Sequence, residues 1–256
     1  MDKKEPSKQI LRNSNGKTIA YRRISGMNPG IIFLGGFRSD MWGSKAVAIE
    51  EFCSERGHSF AAFDYMGHGE SSGKFIDGTI GGWLSDSLEI IDYCSDGPQI
   101  LIGSSMGGWI MLLAALARPS RVSALIGIAA APDFTEDLMW NVFDKKIKET
   151  LIKQGKYFQR GEATTDSYYI SLNLIEEARN HLMLRQNIPI SIPVRLIHGM
   201  DDTSVPWDTS CKIADKLLSE DVHVTLIKDG NHRLSREQDI NFLKHTIAEL
   251  IRHSSG

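Results

Sequence analysis

Gln99-Ile100-Leu101-Ile102-Gly103-Ser104-Ser105-Met106-Gly107-Gly108-Trp109 is the stretch on which the reading of this chain turns. An apolar run short enough to be a buried strand leads into Gly103-x-Ser105-x-Gly107, and a helical pattern follows over 109–117. A strand that turns sharply into a helix leaves one side chain at the apex, here Ser105. The turn crowds its own backbone, and Gly103 and Gly107 remove the side chains that would collide. The first N–H groups of the new helix favour negative charge developing beside the serine. The spacing alone also fits a glycine-rich turn around an ordinary serine. A phosphate cradle is disfavoured, because no Gly-x4-Gly-Lys-[Ser/Thr] pattern is present.

Outward from this stretch, apolar segments at 18–24, 31–34, 59–63, 122–128, 193–198 and 222–227 read as strands. Segments 43–56, 79–95, 208–219 and 235–252 read as helices, residues 1–16 as a loose start, and Asn28-Pro29-Gly30 as a turn. Alternating strands and helices predict an α/β fold: a mostly parallel central sheet flanked by helices, in one domain over 1–256. Residues 133–190 interrupt the alternation with polar, aromatic and mainly helical sequence, and are expected to form an inserted lid rather than a plain pair of core helices. In such sheets ligands bind beyond the carboxyl ends of the strands.

Composition narrows the function. The 256 residues are 41% hydrophobic and 24% charged, ordinary for a chain that buries a core. A net charge of −3 with no long basic run argues against nucleic acid or an anionic membrane as the main partner. Cys53, Cys94 and Cys211 form no Cys-x-x-Cys, which points to buried thiols rather than zinc or disulfides. The polar N-terminus has no apolar signal core, and its two acidic residues, with no Arg before Arg12, argue against a transit peptide. No apolar run approaches the roughly 20 residues that span a bilayer. Together these predict a soluble, cytoplasmic protein without membrane insertion, with oligomeric state left open.

A serine hydroxyl needs a general base, and the base needs a carboxylate to fix its tautomer. Of eight histidines, His232 stands in Asp229-Gly230-Asn231-His232, on a short loop after the last strand. His58 and His68 fall in earlier loops, His223 in a strand, His181 in the insertion, and His245 and His253 in the last helix or its tail. His198 is expected to serve the end of its strand. For the carboxylate, Asp201 and Asp202 compete where the 193–198 strand ends. The chain order Ser105, Asp202, His232 is that of a hydrolase triad.

At this point the chain resembles the α/β-hydrolases over nearly its whole length. The resemblance rests on Leu34-Gly35-Gly36-Phe37, Asp64-x-x-Gly67-x-Gly69-x-Ser71, Gly103-x-Ser105-x-Gly107-Gly108, His198-Gly199-x-x-Asp202, Val205-Pro206 and Gly230-x-His232. The Gly199-x-x-Asp202-x-x-Val205-Pro206 spacing selects Asp202 over Asp201. Gly35 to Met41, Asp96 to Trp109 and His198-Gly199-Met200…Val205-Pro206-Trp207 resemble more closely the mitochondrial palmitoyl-protein thioesterase and acyl-glucuronide esterase branch, with its bacterial relatives. That resemblance implies hydrolysis of acyl thioesters and esters, with a small-molecule or acylated substrate. It departs from many family members in having Gly35-Gly36 where they have His-Gly, and from the mitochondrial branch in lacking a presequence pattern.

The implied mechanism is an acyl-enzyme on Ser105, with His232 as base, Asp202 behind it, and the backbone N–H groups of Phe37 and Met106 as oxyanion donors. No metal or organic cofactor is called for. Small-molecule carboxylesterase, lactonase and iminopeptidase-like amidase are the alternatives on the same scaffold, and a non-catalytic receptor is the remote one. Trp140, Phe143, Tyr157, Phe158, Tyr168 and Tyr169 could line an acyl pocket or pin the insertion to the core, and Trp207 has the same two readings. For Arg38, pairing with Asp40 or another acid is favoured over meeting a substrate carboxylate.

Overall fold

In the computed structural model, which describes residues 8–12, 16–94, 97–161 and 167–254, the opening stretch is a strand, β5 (Gln99–Ser104), running into a helix, α3 (Met106–Ala117). Every residue of β5 is buried, as a strand covered on both faces must be. Parallel to it lie β3 (Met27–Leu34) on one side and β6 (Val122–Ile128) on the other. Beyond β6 come β9 (Val194–Gly199) and β10 (Val222–Ile227), and beyond β3 comes β4 (His58–Phe63), all parallel. The strands β2 (Thr18–Ile24) and β1 (Gln9–Arg12) complete that edge antiparallel, giving the order β1-β2-β4-β3-β5-β6-β9-β10.

The period of two along each strand divides the core. Ile32, Leu34, Leu101 and Leu125 face α3 and the helix α2 (Ile80–Cys94), where Trp83, Trp109 and Leu112 are fully buried. Their sequence neighbours Ile31, Phe33, Ile100, Ile102 and Ile126 face the opposite way, onto Ile49 and Phe52 of α1 (Ser44–Arg56) and Leu243 and Ile247 of α7 (Glu237–Ser254). A further helix, α6 (Asp208–Lys216), contributes Ile213 to the first face.

Several expectations need correction. Residues 9–12, read as part of a loose start, pair with β2, while 1–7 and 13–15 lie outside the described residues, as does Asp96. Asn28-Pro29-Gly30 is no turn: it lies within β3, where the register against β4 shifts between Met27 and Ile31. Proline has no N–H for the ladder, so the irregularity falls there. Cys53 and Cys94 are buried, and burial pushes their thiols up to about 12 and about 11, but Cys211 is exposed.

The 133–190 stretch contains α4 (Lys145–Gln154) and α5 (Leu172–Ala178), yet also an antiparallel ribbon, β7 (Lys156–Gln159) with β8 (Tyr168–Ser171). Four-residue strands are too short to register as periodicity between helical segments. Leu151, Ile170 and Ile175 give the insertion a small core of its own. Its two ends are clasped by the buried Asp133, whose carboxylate accepts the Met183 and Leu184 N–H groups at 2.7 and 2.9 Å.

Candidate active site

Ser105 sits between β5 and α3 with φ 54°, a left-handed backbone that costs a non-glycine residue about 1–3 kcal/mol. The strain is held in place by hydrogen bonds. Ser105 N–H donates to the Ile128 carbonyl (2.9 Å), and the Ser105 carbonyl accepts from Gly108 (2.9 Å) and Ala131 (3.0 Å). The motif glycines are steric necessities: a Cβ on Gly103 would lie 2.3 Å from the Gly107 carbonyl oxygen, and one on Gly107 would lie 2.1 Å from that of Leu34.

The loops after β9 and β10 meet at the serine. A Cβ on Gly199 would lie 2.1 Å from the Gly230 carbonyl oxygen, so the two loops pack backbone to backbone. His232 Nδ1 lies 2.7 Å from Asp202 Oδ2, and its Nε2 lies 3.2 Å from Ser105 Oγ. A carboxylate can only accept, so Nδ1 carries the hydrogen and Nε2 is left to accept from the serine. Asp201 is exposed, whereas the Asp202 side chain is fully buried. Burial alone would raise the Asp202 carboxyl. Hydrogen bonds from His198 and His232, with backbone N–H groups of Ser204 (2.8 Å) and Val205 (2.9 Å) on Oδ1, hold it instead well below the usual carboxylate range.

Two further histidines belong to the site, neither with a role marked by residue type. His198, fully buried, points Nε2 at two acceptors, Asp202 Oδ2 and the Val205 carbonyl, both at 3.1 Å. Its Nε2 therefore carries the hydrogen, and Nδ1 accepts from the Ser210 hydroxyl at 2.8 Å. It donates to the same carboxylate oxygen, Oδ2, that faces His232. His68 accepts the Arg38 backbone N–H on Nε2 at 3.1 Å, while its Nδ1 faces the Met66 carbonyl at 3.3 Å. Arg38 itself has φ 63°, so a second strained residue is fixed beside the serine. Burial pushes His68 down to about 4, which keeps that acceptor nitrogen unprotonated. The Asp64-x-x-Gly67-x-Gly69-x-Ser71 motif builds the loop that presents it. Asp64 accepts Met41 and Glu70 N–H groups at 2.7 and 2.8 Å, and a Cβ on Gly69 would strike its carboxylate at 2.1 Å.

The two expected oxyanion positions flank the serine. Met106 follows it in sequence, and Phe37 follows Gly36, whose Cβ position would lie 3.5 Å from that of Ser105. Two cavities open from Ser105 and His232. One, about 340 Å³, is walled by Phe37, Met106, Phe134, Leu138, Met139 and Tyr168, with Arg38 also lining it. The other, about 620 Å³, is polar and carries Arg38, Lys45 and Arg233 against the single carboxylate of Asp40. Of the six insertion aromatics singled out above, Tyr168 alone lines the apolar cavity, together with Phe134 at the insertion's start. Trp140, Phe143 and Tyr157 pack on the insertion's own core, and Phe158 and Tyr169 face solvent. The Arg38 guanidinium lies 4.6 Å over the Tyr168 ring, at the junction of both cavities. Trp207 stands half-exposed at the start of α6 and lines neither cavity.

Known proteins resemble the chain in both sequence and fold. The family described as serine aminopeptidase, S33, matches residues 31–239. The chain is 43% identical to the mouse mitochondrial palmitoyl-protein thioesterase ABHD10 over 250 residues, covering 97% of this chain and 84% of that one. The human counterpart is also 43% identical, with 97% and 81% covered. Among solved structures, the mouse α/β-hydrolase domain-containing protein 10 superposes with a TM-score of 0.90 at 43% identity, covering 96% of this chain and 99% of that chain. A putative hydrolase from Agrobacterium vitis superposes at 0.91 with 34% identity, covering 97% and 100%. The cytoplasmic location expected from the N-terminal composition is overturned by these relatives, whose mitochondrial designation points to that organelle instead. No helix among the described residues is long and apolar enough to cross a membrane. A family matched over most of the length, and relatives aligned almost end to end, establish that the chain belongs to the α/β-hydrolase family and is an enzyme with serine hydrolase activity.

Proposed function

We propose that Ser105, His232 and Asp202 hydrolyse acyl thioesters or carboxylic esters through an acyl-enzyme. The observation that carries this is the run of hydrogen-bond distances, 3.2 Å from Ser105 Oγ to His232 and 2.7 Å from His232 to Asp202, at a strained serine between two cavities. Ser105 Oγ attacks the acyl carbon as its proton passes to His232 Nε2. The carbonyl oxygen takes up negative charge and receives the Phe37 and Met106 N–H groups. The carbon–sulfur or carbon–oxygen bond breaks, and His232 returns the proton to the leaving group. Water then attacks the acyl-enzyme, its proton passing to His232 and on to Ser105. Asp202 keeps the imidazole in the tautomer that accepts from serine and stabilises the imidazolium.

The apolar cavity suits the acyl chain. The 133–190 insertion supplies Phe134, Leu138, Met139 and Tyr168 to it, which supports reading that stretch as a lid. The polar cavity then takes the leaving group. Its three cations favour a leaving group that carries a carboxylate, as an acyl glucuronide does, beside the palmitoyl thioester suggested by the relatives' name. The test is turnover of acetyl, octanoyl and palmitoyl thioesters and oxygen esters, the latter with neutral and carboxylate-bearing alcohols. Preference for the longer chains supports the assignment. Preference for acetyl esters of neutral alcohols contradicts it and moves the enzyme to the small-molecule esterases.

The pH profile follows from the same groups. Asp202 is held ionised throughout the working range, and His68 is neutral above about 4. Neither group therefore gains or loses a proton near neutral pH. With chemistry rate-limiting and an uncharged substrate, which offers no counter-charge to the Lys45 ammonium that burial pushes down to about 8, kcat/KM rises with pH as a single ionisation and then levels. A flat profile from about pH 5 to 9, or a two-proton dependence on the acid side, contradicts a lone histidine base.

A further inference from the structure

The insertion carries a surface that its own packing leaves unused. In the β7–β8 ribbon, Tyr157 and Ile170 face inward, while Phe158 and Tyr169, directly paired across the strands, face solvent. Their rings meet at 5.0 Å, yet the residues are 44% and 46% exposed. The ammonium of Lys156 lies 5.0 Å over the Tyr169 ring. The preceding helix, α4, buries Leu151 and turns outward a face bearing Lys145, Lys146 and Lys153 around Ile152, itself 62% exposed. Over 145–161 the sequence has six cations, Lys145, Lys146, Lys148, Lys153, Lys156 and Arg160, against Glu149 alone, in a chain whose net charge is −3. The overall charge, read from the sequence as evidence against an anionic membrane partner, conceals this local reversal.

Exposed aromatic rings among lysines suit the boundary between lipid headgroups and acyl chains, where the rings enter and the ammonium groups stay with phosphate. A second copy of the chain fits poorly, because a two-fold contact through this patch would set lysines against lysines. We propose that the α4–ribbon face of the insertion docks the enzyme on an anionic lipid surface, lying on it rather than spanning it. The insertion that supplies one wall of the apolar cavity would then rest on the phase in which long acyl chains reside. Binding to lipid is read without turnover, so the outcome is separate from that of the hydrolase assignment.

The full chain is sedimented with vesicles of phosphatidylcholine alone and with vesicles in which phosphatidylglycerol replaces one lipid in three. Binding is expected to the second and to weaken as salt is raised. Each lysine near such a surface changes partition by about fivefold. Lys145→Gln, Lys146→Gln and Lys153→Gln together therefore lower it by at least about tenfold. Phe158→Ser with Tyr169→Ser does the same by removing the apolar anchor. These side chains lie outside both cavities, so wild-type turnover of a short, water-soluble ester verifies that each variant is folded. Equal binding to both vesicle types, variants that bind like wild type, or a wild-type dimer that both variants dissociate in the absence of vesicle binding overturns the proposal.

Discussion

Ser105→Ala lowers kcat by about 10⁴-fold or more on any substrate the enzyme accepts, with little change in thermal stability. The size follows from the division of labour at the elbow. Without Oγ no acyl-enzyme forms, and only cavity binding and oxyanion stabilisation are left to assist direct attack by water. The fold is spared because the strained turn is held by backbone groups, the Ser105 amide on Ile128 and its carbonyl under Gly108 and Ala131. Alanine at φ 54° carries the same strain that serine does. Steady-state turnover with a thermal melt of the same preparation checks both halves. Activity within tenfold of wild type removes Ser105 from the mechanism.

Asp202→Asn lowers kcat by about 10³–10⁴-fold and, unlike the serine substitution, destabilises the protein. The carboxylate accepts from four donors: His232 and His198 on Oδ2, the Ser204 and Val205 amides on Oδ1. Asparagine has one oxygen to offer. If the oxygen keeps the backbone amides, its NH₂ meets the imidazoles and drives His232 to the tautomer that can no longer accept from Ser105. If the oxygen faces the imidazoles, the NH₂ is set against the Ser204 and Val205 N–H donors. Asp201→Asn is the control: that side chain is exposed, and near-normal kcat and melting are expected. The assignment fails if the two substitutions behave alike.

What could be read in advance divides along a physical line. The doubly covered strands are continuous apolar runs, and the residues expected at the site stand where chemistry restricts residue type: a serine at a glycine elbow, a histidine on the loop after the last strand, an acid spaced from Val205-Pro206. The α/β fold and the hydrolase family followed from these. His68 is not legible because its partner, the Arg38 amide, lies thirty residues away and the sequence carries no local mark of that hydrogen bond. His198 stands only four residues before Asp202, but residue type and spacing do not say which way a ring at a strand's end will point. The β7–β8 ribbon escaped notice because its strands are four residues long and bounded by helical sequence. The cytoplasmic expectation rested on N-terminal composition, which carries less weight than the mitochondrial relatives.

The most direct test of the central claim is the covalent intermediate itself. The enzyme is mixed with a slight deficit of a long-chain acyl thioester, quenched in acid within the first turnover, digested, and its peptides weighed. The account predicts a transient mass increase equal to the acyl group on the peptide carrying Ser105, absent from Ser105→Ala. An acyl group on any other residue, or full product release in a rapid-quench time course that never shows an adduct, would contradict it.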